Sequence, residues 1–160
     1  MVRFRQFYIS LAFCLLLAIV PSSFGYQTGK PIISSEEDVS QDIPIAPCND
    51  RDRLKAVNAL FLKMSAPSDD IVIENLDGVE NLVIRKRGNS QETIIVGAHY
   101  DKVPDGCGAI DNWSGIVALA HIYRSLKDVP LEKTLIFAAF GKEEKGLHGS
   151  RAMVKRIKWR

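Results

Sequence analysis

The apolar residues fall into blocks whose spacing changes along the chain, and each block predicts an element. From Asn49 onward Leu54, Val57, Leu60, Phe61 and Met64 recur at three and four, the helical period, with Asn49 or Asp50 placed to cap the first turn. Ile71-Val72-Ile73 and Asn81-Leu82-Val83-Ile84 flank a stretch containing Asp77-Gly78 and predict two short paired strands, followed by a turn at Gly88-Asn89-Ser90. Thr93 to Ala98 and Thr134 to Phe140 are continuous apolar runs rich in β-branched residues, the pattern of strands buried on both faces of a sheet. Between them Ile116, Leu119, Ala120 and Tyr123 form one apolar stripe of a helix, and Val129-Pro130 closes the connection. Strand, helix, strand is an α/β crossover unit. A last helix is expected from Leu147 to about Ile157.

The first block reads differently. Met1 to Gln6 carries two arginines and no acid, Phe7 to Val20 is almost wholly apolar, and Pro21-Ser22-Ser23-Phe24-Gly25 follows. This is the layout of a secretory signal peptide over residues 1–25, and the apolar run falls short of the roughly 20 residues that span a bilayer. The expectation is therefore a secreted or periplasmic protein without a stable membrane span. Residues 26–47, with Gly29, Pro31, Pro44, Pro47 and the acidic knot Glu36-Glu37-Asp38, read as an extended leader over the surface.

With 160 residues and 46% hydrophobic composition, the chain suffices for one domain and not two. Its formal charge of +2 vanishes once Arg3 and Arg5 leave with the signal, so no basic footprint for nucleic acid is present. The mature chain keeps Cys48 and Cys107. An exported pair suggests a disulfide, although two free thiols, or a partner cysteine beyond the chain, fit the spacing as well.

In open α/β sheets ligand sites form beyond the carboxyl ends of the strands. Those ends carry His99, Asp101, Glu143 and Glu144, and the start of the intervening helix carries Asp111. A His-x-Asp alone is an ordinary hydrogen-bonded pair, and a Glu-Glu pair alone is an ordinary solvated loop. Their joint placement points to chemistry. Imidazole with carboxylates suits zinc, and catalytic zinc keeps a position open for water. Asp101, two residues along an extended backbone, falls on the same side as His99 and can accept its second ring N–H. Asp111 can bind one ion or bridge two. Glu143 and Glu144, adjacent on extended backbone, should point to opposite sides, one toward a metal and the other toward its water as general base. His121 and His148 match no ligand position and read as helix-surface residues. Trp113 and Tyr100 either wall the pocket or pack in the core.

Three blocks in order, Val96-Gly97-Ala98-His99-Tyr100-Asp101, Gly108 to Gly115, and Phe137 to Ser150, closely resemble the di-zinc aminopeptidases of metallopeptidase family twenty-eight over about Asn81 to Val154. The resemblance implies a three-layer α/β sandwich with a mixed, mainly parallel central sheet of the zinc exopeptidase, phosphorylase/hydrolase-like type. It implies His99 as ligand of one zinc, Asp111 as bridge, Glu144 as ligand of the other zinc, Glu143 as general base and Asp101 as the catalytic partner of His99. The reaction implied is removal of the N-terminal residue from peptides with a free N-terminus, by a water activated between two zinc ions. The same family includes glutaminyl cyclases, which resemble the first two blocks, and receptors that have lost their metals. Gly146-Leu147-His148-Gly149-Ser150 looks more like the peptidases, and every metal position visible here is filled. Two further ligands implied by the family, an aspartate and a later histidine, do not fit between Glu144 and Arg160. The expectation is thus that residues 48–160 are the N-terminal part of a truncated catalytic domain, poorly active alone, with Leu135, Phe137 and the last helix left uncovered.

Overall fold

A computed structural model describes residues 29–157. The signal peptide expected over residues 1–25 lies outside them. Four helices, α1 (Glu36–Asp42), α2 (Asp50–Lys63), α3 (Ser114–Leu126) and α4 (His148–Arg156), surround four strands, β1 (Ile71–Leu76), β2 (Val79–Lys86), β3 (Thr93–His99) and β4 (Thr134–Phe140). The strands form one mixed sheet in the order β1-β2-β4-β3. β1 and β2 pair antiparallel, as do β2 and β4, while β3 and β4 run parallel with His99 opposite Phe140. None of the described helices is long and apolar enough to cross a membrane.

Local sequence accounts for most of these boundaries. The Asn49 side chain accepts from the Asp52 N–H at 2.9 Å and starts α2, satisfying a donor that has no partner within the helix. Asp77 and Gly78 both hold positive φ, which the two-residue turn of the β1–β2 hairpin requires. α3 is the crossover between the two parallel strands, and Ile116, Leu119, Ala120 and Tyr123 are buried as its stripe predicts.

Alternation along β2 and β4 sorts the core into two. Leu82, Ile84, Leu135, Phe137 and Ala139 face α2 and α3, where Phe61, Tyr123 and Phe137 meet edge to face at 5.7 and 5.3 Å between ring centres. Val83, Ile136 and Ala138 face the other way, against Met153 of α4. Helices on both sides of the sheet make three layers.

Three expectations need correction. The leader is not wholly extended: Ser35 caps α1 by accepting from the Asp38 N–H at 3.1 Å, and the acidic knot supplies the carboxylates that a helix N-terminus favours. β3 is not buried on both faces, because it pairs only with β4 among the described strands, and Ile94 and Ile95 are exposed. Leu135 and Phe137, expected to lie uncovered, are buried because β4 is an inner strand.

Candidate active site

His99 is the last residue of β3, and its ring sits between two sets of oxygens. Nδ1 lies 3.2 Å from the backbone carbonyl of Asp101, which can only accept, so the ring proton resides there. Nε2 looks toward carboxylates, 3.1 Å from Asp111 Oδ1 and 3.7 Å from Glu143 Oε2. Asp101 first, and Glu143 after it, raise the proton affinity of the ring against the opposing effect of burial.

Asp101 is buried, and its carboxylate does a further task beside the one its spacing suggests. Oδ1 accepts the Glu143 N–H at 2.9 Å and Oδ2 the Glu144 N–H at 3.1 Å, while Oδ1 stays 3.6 Å from His99 Nδ1. Burial pushes this carboxyl up, yet the His99 ring and the two backbone donors outweigh it and hold it below its ordinary range. One side chain thus ties the exit of β3 to the exit of β4.

Glu143 and Glu144 leave β4 in a turn rather than on extended backbone. Glu143 accepts at its carbonyl from the N–H groups of Gly146 and Leu147, and Lys142 holds a positive φ. The expected opposition of the two side chains therefore fails: ligand atoms of His99, Glu143 and Glu144 lie within 4.8 Å of one another. Glu144 Oε1 is buried without a hydrogen-bond partner. An orphaned carboxylate oxygen in a residue grouped with an imidazole and a second carboxylate is an arrangement that a divalent cation would satisfy. Asp111 approaches His99 but does not join that tight trio, and its side chain is 75% exposed.

The turn is seated by close packing. Asn81 of β2 accepts the Gly141 N–H at 3.1 Å and donates to the Gly149 carbonyl at 3.0 Å. A Cβ on Gly141 would stand 2.6 Å from both the Glu80 carbonyl and the Tyr100 hydroxyl, so only glycine fits. The groove of about 520 Å³ beside Asp101 is lined by Asp50, Arg51, Tyr100 and Lys145, and not by the cluster itself.

The segment between Asp101 and Asp111 is held from outside. Cys107 is disulfide-bonded to Cys48, which resolves the alternatives left by the sequence. The Asp111–Asn112 peptide is cis. Asn112 Oδ1 accepts the Gly115 N–H, in the first turn of α3, at 3.1 Å. Trp113 and Tyr100 are core residues, and the Trp113 indole donates to the Asp42 carbonyl at 2.8 Å.

Sequence reasoning missed two buried polar groups here. His121, read as surface, is buried: it donates from Nε2 to Asp42 Oδ2 at 3.2 Å and accepts at Nδ1 from Ser34 at 2.7 Å. The other is Arg53, fully buried in α2. Helical spacing was the available signal, since Arg53 stands four residues before Val57 on the same stripe. His148 is exposed at the start of α4, as expected.

The chain is 31% identical over 135 residues to Aminopeptidase YwaD of Bacillus subtilis, covering 84% of this chain and 26% of that protein. It is 39% identical to the crystal structure of BSAP, a zinc aminopeptidase from B. subtilis, with a TM-score of 0.48 over 49% of this chain and 20% of that one. A glutaminyl cyclase from an Acidobacteriales bacterium shares the fold at a TM-score of 0.58 and 16% identity, over 73% of this chain and 47% of that one. The chain spans about a quarter of the length of YwaD. The model of peptidase family M28 matches residues 81–160, half of the chain and the half that carries His99, Asp101, Asp111, Glu143 and Glu144, so this chain belongs to peptidase family M28.

Proposed function

We propose that the protein is a zinc-dependent aminopeptidase, with His99, Asp111 and Glu144 as metal ligands and Glu143 as general base. The observation that carries this reading is the gathering of His99, Glu143 and Glu144 ligand atoms within 4.8 Å, with Glu144 Oε1 buried and unpartnered. Zinc at this donor set, as one ion or as two sharing Asp111, would polarise a peptide carbonyl and acidify a water.

The chain's own residues supply the rest. Asp101 keeps the ring proton of His99 on Nδ1 and leaves Nε2 as the donor atom. By gripping the amides of Glu143 and Glu144 it also fixes the base against the ligands. Glu143, partly exposed at the mouth of the cluster, takes a proton from water and passes it to the departing amine. The exposed face of Asp111 leaves the site open to a peptide N-terminus. The Cys48–Cys107 disulfide supports an oxidising destination, consistent with export through a cleaved signal peptide.

The test measures zinc per chain and hydrolysis of aminoacyl amides by the full-length protein, beside Glu143→Gln. Zinc uptake with turnover that Glu143→Gln abolishes supports the reading. Turnover that survives Glu143→Gln refutes the base, and zinc uptake without turnover favours a non-catalytic binding domain.

A further inference from the structure

Arg53 makes no ion pair among the described residues, although it is wholly buried. Burial alone disfavours its charge, and the more distant carboxylates of Asp50, Asp101 and Asp111 favour it. A guanidinium does not discharge in proteins, so its five N–H groups must find acceptors. Four bonds to backbone carbonyls are made: Nε donates to Tyr100, Nη1 to Cys107 at 2.7 Å and to Pro47 at 3.1 Å, and Nη2 to Gly108 at 3.1 Å. Its face lies 5.4 Å from the centre of the Trp113 ring.

These acceptors belong to three separate stretches. Tyr100 sits between His99 and Asp101, Gly108 stands three residues before Asp111, and Pro47 adjoins Cys48 of the disulfide. A planar fork with fixed donor directions sets the distances between all of them at once, which a point-like ammonium cannot do. Gly108 is also the acceptor for the Trp113 N–H at 3.1 Å, so the fork reaches the residue immediately before α3.

We infer that Arg53 is a positioning residue for the metal centre: from α2 it fixes the exit of β3, with His99 and Asp101, against the loop that presents Asp111. Its importance to zinc rests on the reading proposed above, whereas its hold on the loop does not. Arg53 bonds backbone carbonyls and acts through the backbone of its partners.

Two variants of the full-length protein, Arg53→Lys and Arg53→Met, separate this role from that of a general staple. In zinc-free protein, amide exchange is followed at Tyr100, Lys102 and Trp113, whose N–H groups bond Phe140 O, Asp50 Oδ1 and Gly108 O, with the β2 and β4 amides as reference. Both variants are expected to lose protection at those three amides and keep it in β2 and β4. In a chelator competition their zinc affinity is expected to fall about 10–100-fold, as for other residues that orient ligands indirectly. Unchanged exchange at the three amides, or loss spread evenly over the sheet up to unfolding of both variants, overturns the inference. If the wild-type protein takes up no zinc, the metal reading falls and the exchange measurement still decides the role of Arg53.

Discussion

Two segments carry candidate site residues, and they are stabilised in opposite ways. The turn after β4, residues 141–147, is secured by its own backbone, by Asn81 and by the Asp101 carboxylate. The longer segment from Tyr100 to Trp113 has little regular structure and is secured from afar, by Arg53, the Cys48–Cys107 bridge and Asp42 of the leader helix. Tight local geometry needs few partners. A loop presenting an exposed carboxylate such as Asp111 needs many, because nothing in its own sequence specifies a single conformation.

The contrast can be broken most severely at the disulfide. Replacing Cys48 and Cys107 by serine opens a loop with a sequence separation of 59, for which chain entropy predicts a loss of about 4 kcal/mol. Thermal unfolding should show it, and amide exchange should place the loosening between residues 100 and 113 while 141–147 stay protected. Equal loosening of both segments would erase the distinction.

The complementary perturbation is Gly141→Ala, whose methyl group meets the Glu80 carbonyl and the Tyr100 hydroxyl at 2.6 Å. Overpacking against such a site costs up to about 3 kcal/mol. Chemical denaturation measures it, and here the β4 turn should loosen first.

Asp101→Asn cuts the tie between the segments. Asparagine offers one acceptor oxygen where two N–H groups need one each, a cost of about 2 kcal/mol at neutral pH. Because the native carboxyl is held below its ordinary value of 3.8, its contribution is complete above that pH and is lost as the pH falls through the lower native value. Urea midpoints of wild type and variant should therefore converge on acidification below 3.8, and a constant gap would contradict the assignment.

The smallest effect belongs to the half-exposed Arg124–Asp38 pair, 3.2 Å apart between α3 and the leader. Asp38→Asn should cost less than about 1 kcal/mol in thermal unfolding. A larger loss would mean that the leader is secured at its surface and not by the buried Asp42–His121–Ser34 chain.

The same contrast explains what could be read from the sequence. The crossover strands, the α3 stripe, the hairpin and the residues of the cluster were legible because each follows from a local period or from a strand end. The leader helix was missed because seven residues carry too little pattern, and only the Ser35 cap marks its start. The burial of Arg53 and His121 was missed because a charged residue on a stripe is normally solvated, and both are buried by partners more than 40 residues away. The turn at Glu143 was read as extended because nothing in Lys142 announces a positive φ.

The pairing of β3 with β4 joins Thr93 to Thr134 and lies across α3, whereas the β1–β2 hairpin closes on Leu76 and Val79. Hairpins close within roughly 1–10 μs, while parallel pairings must first meet the entropy of a long loop. His99 comes within reach of the two glutamates only after that slower closure. On the zinc reading proposed above, metal uptake would therefore report completed folding as well as chemistry.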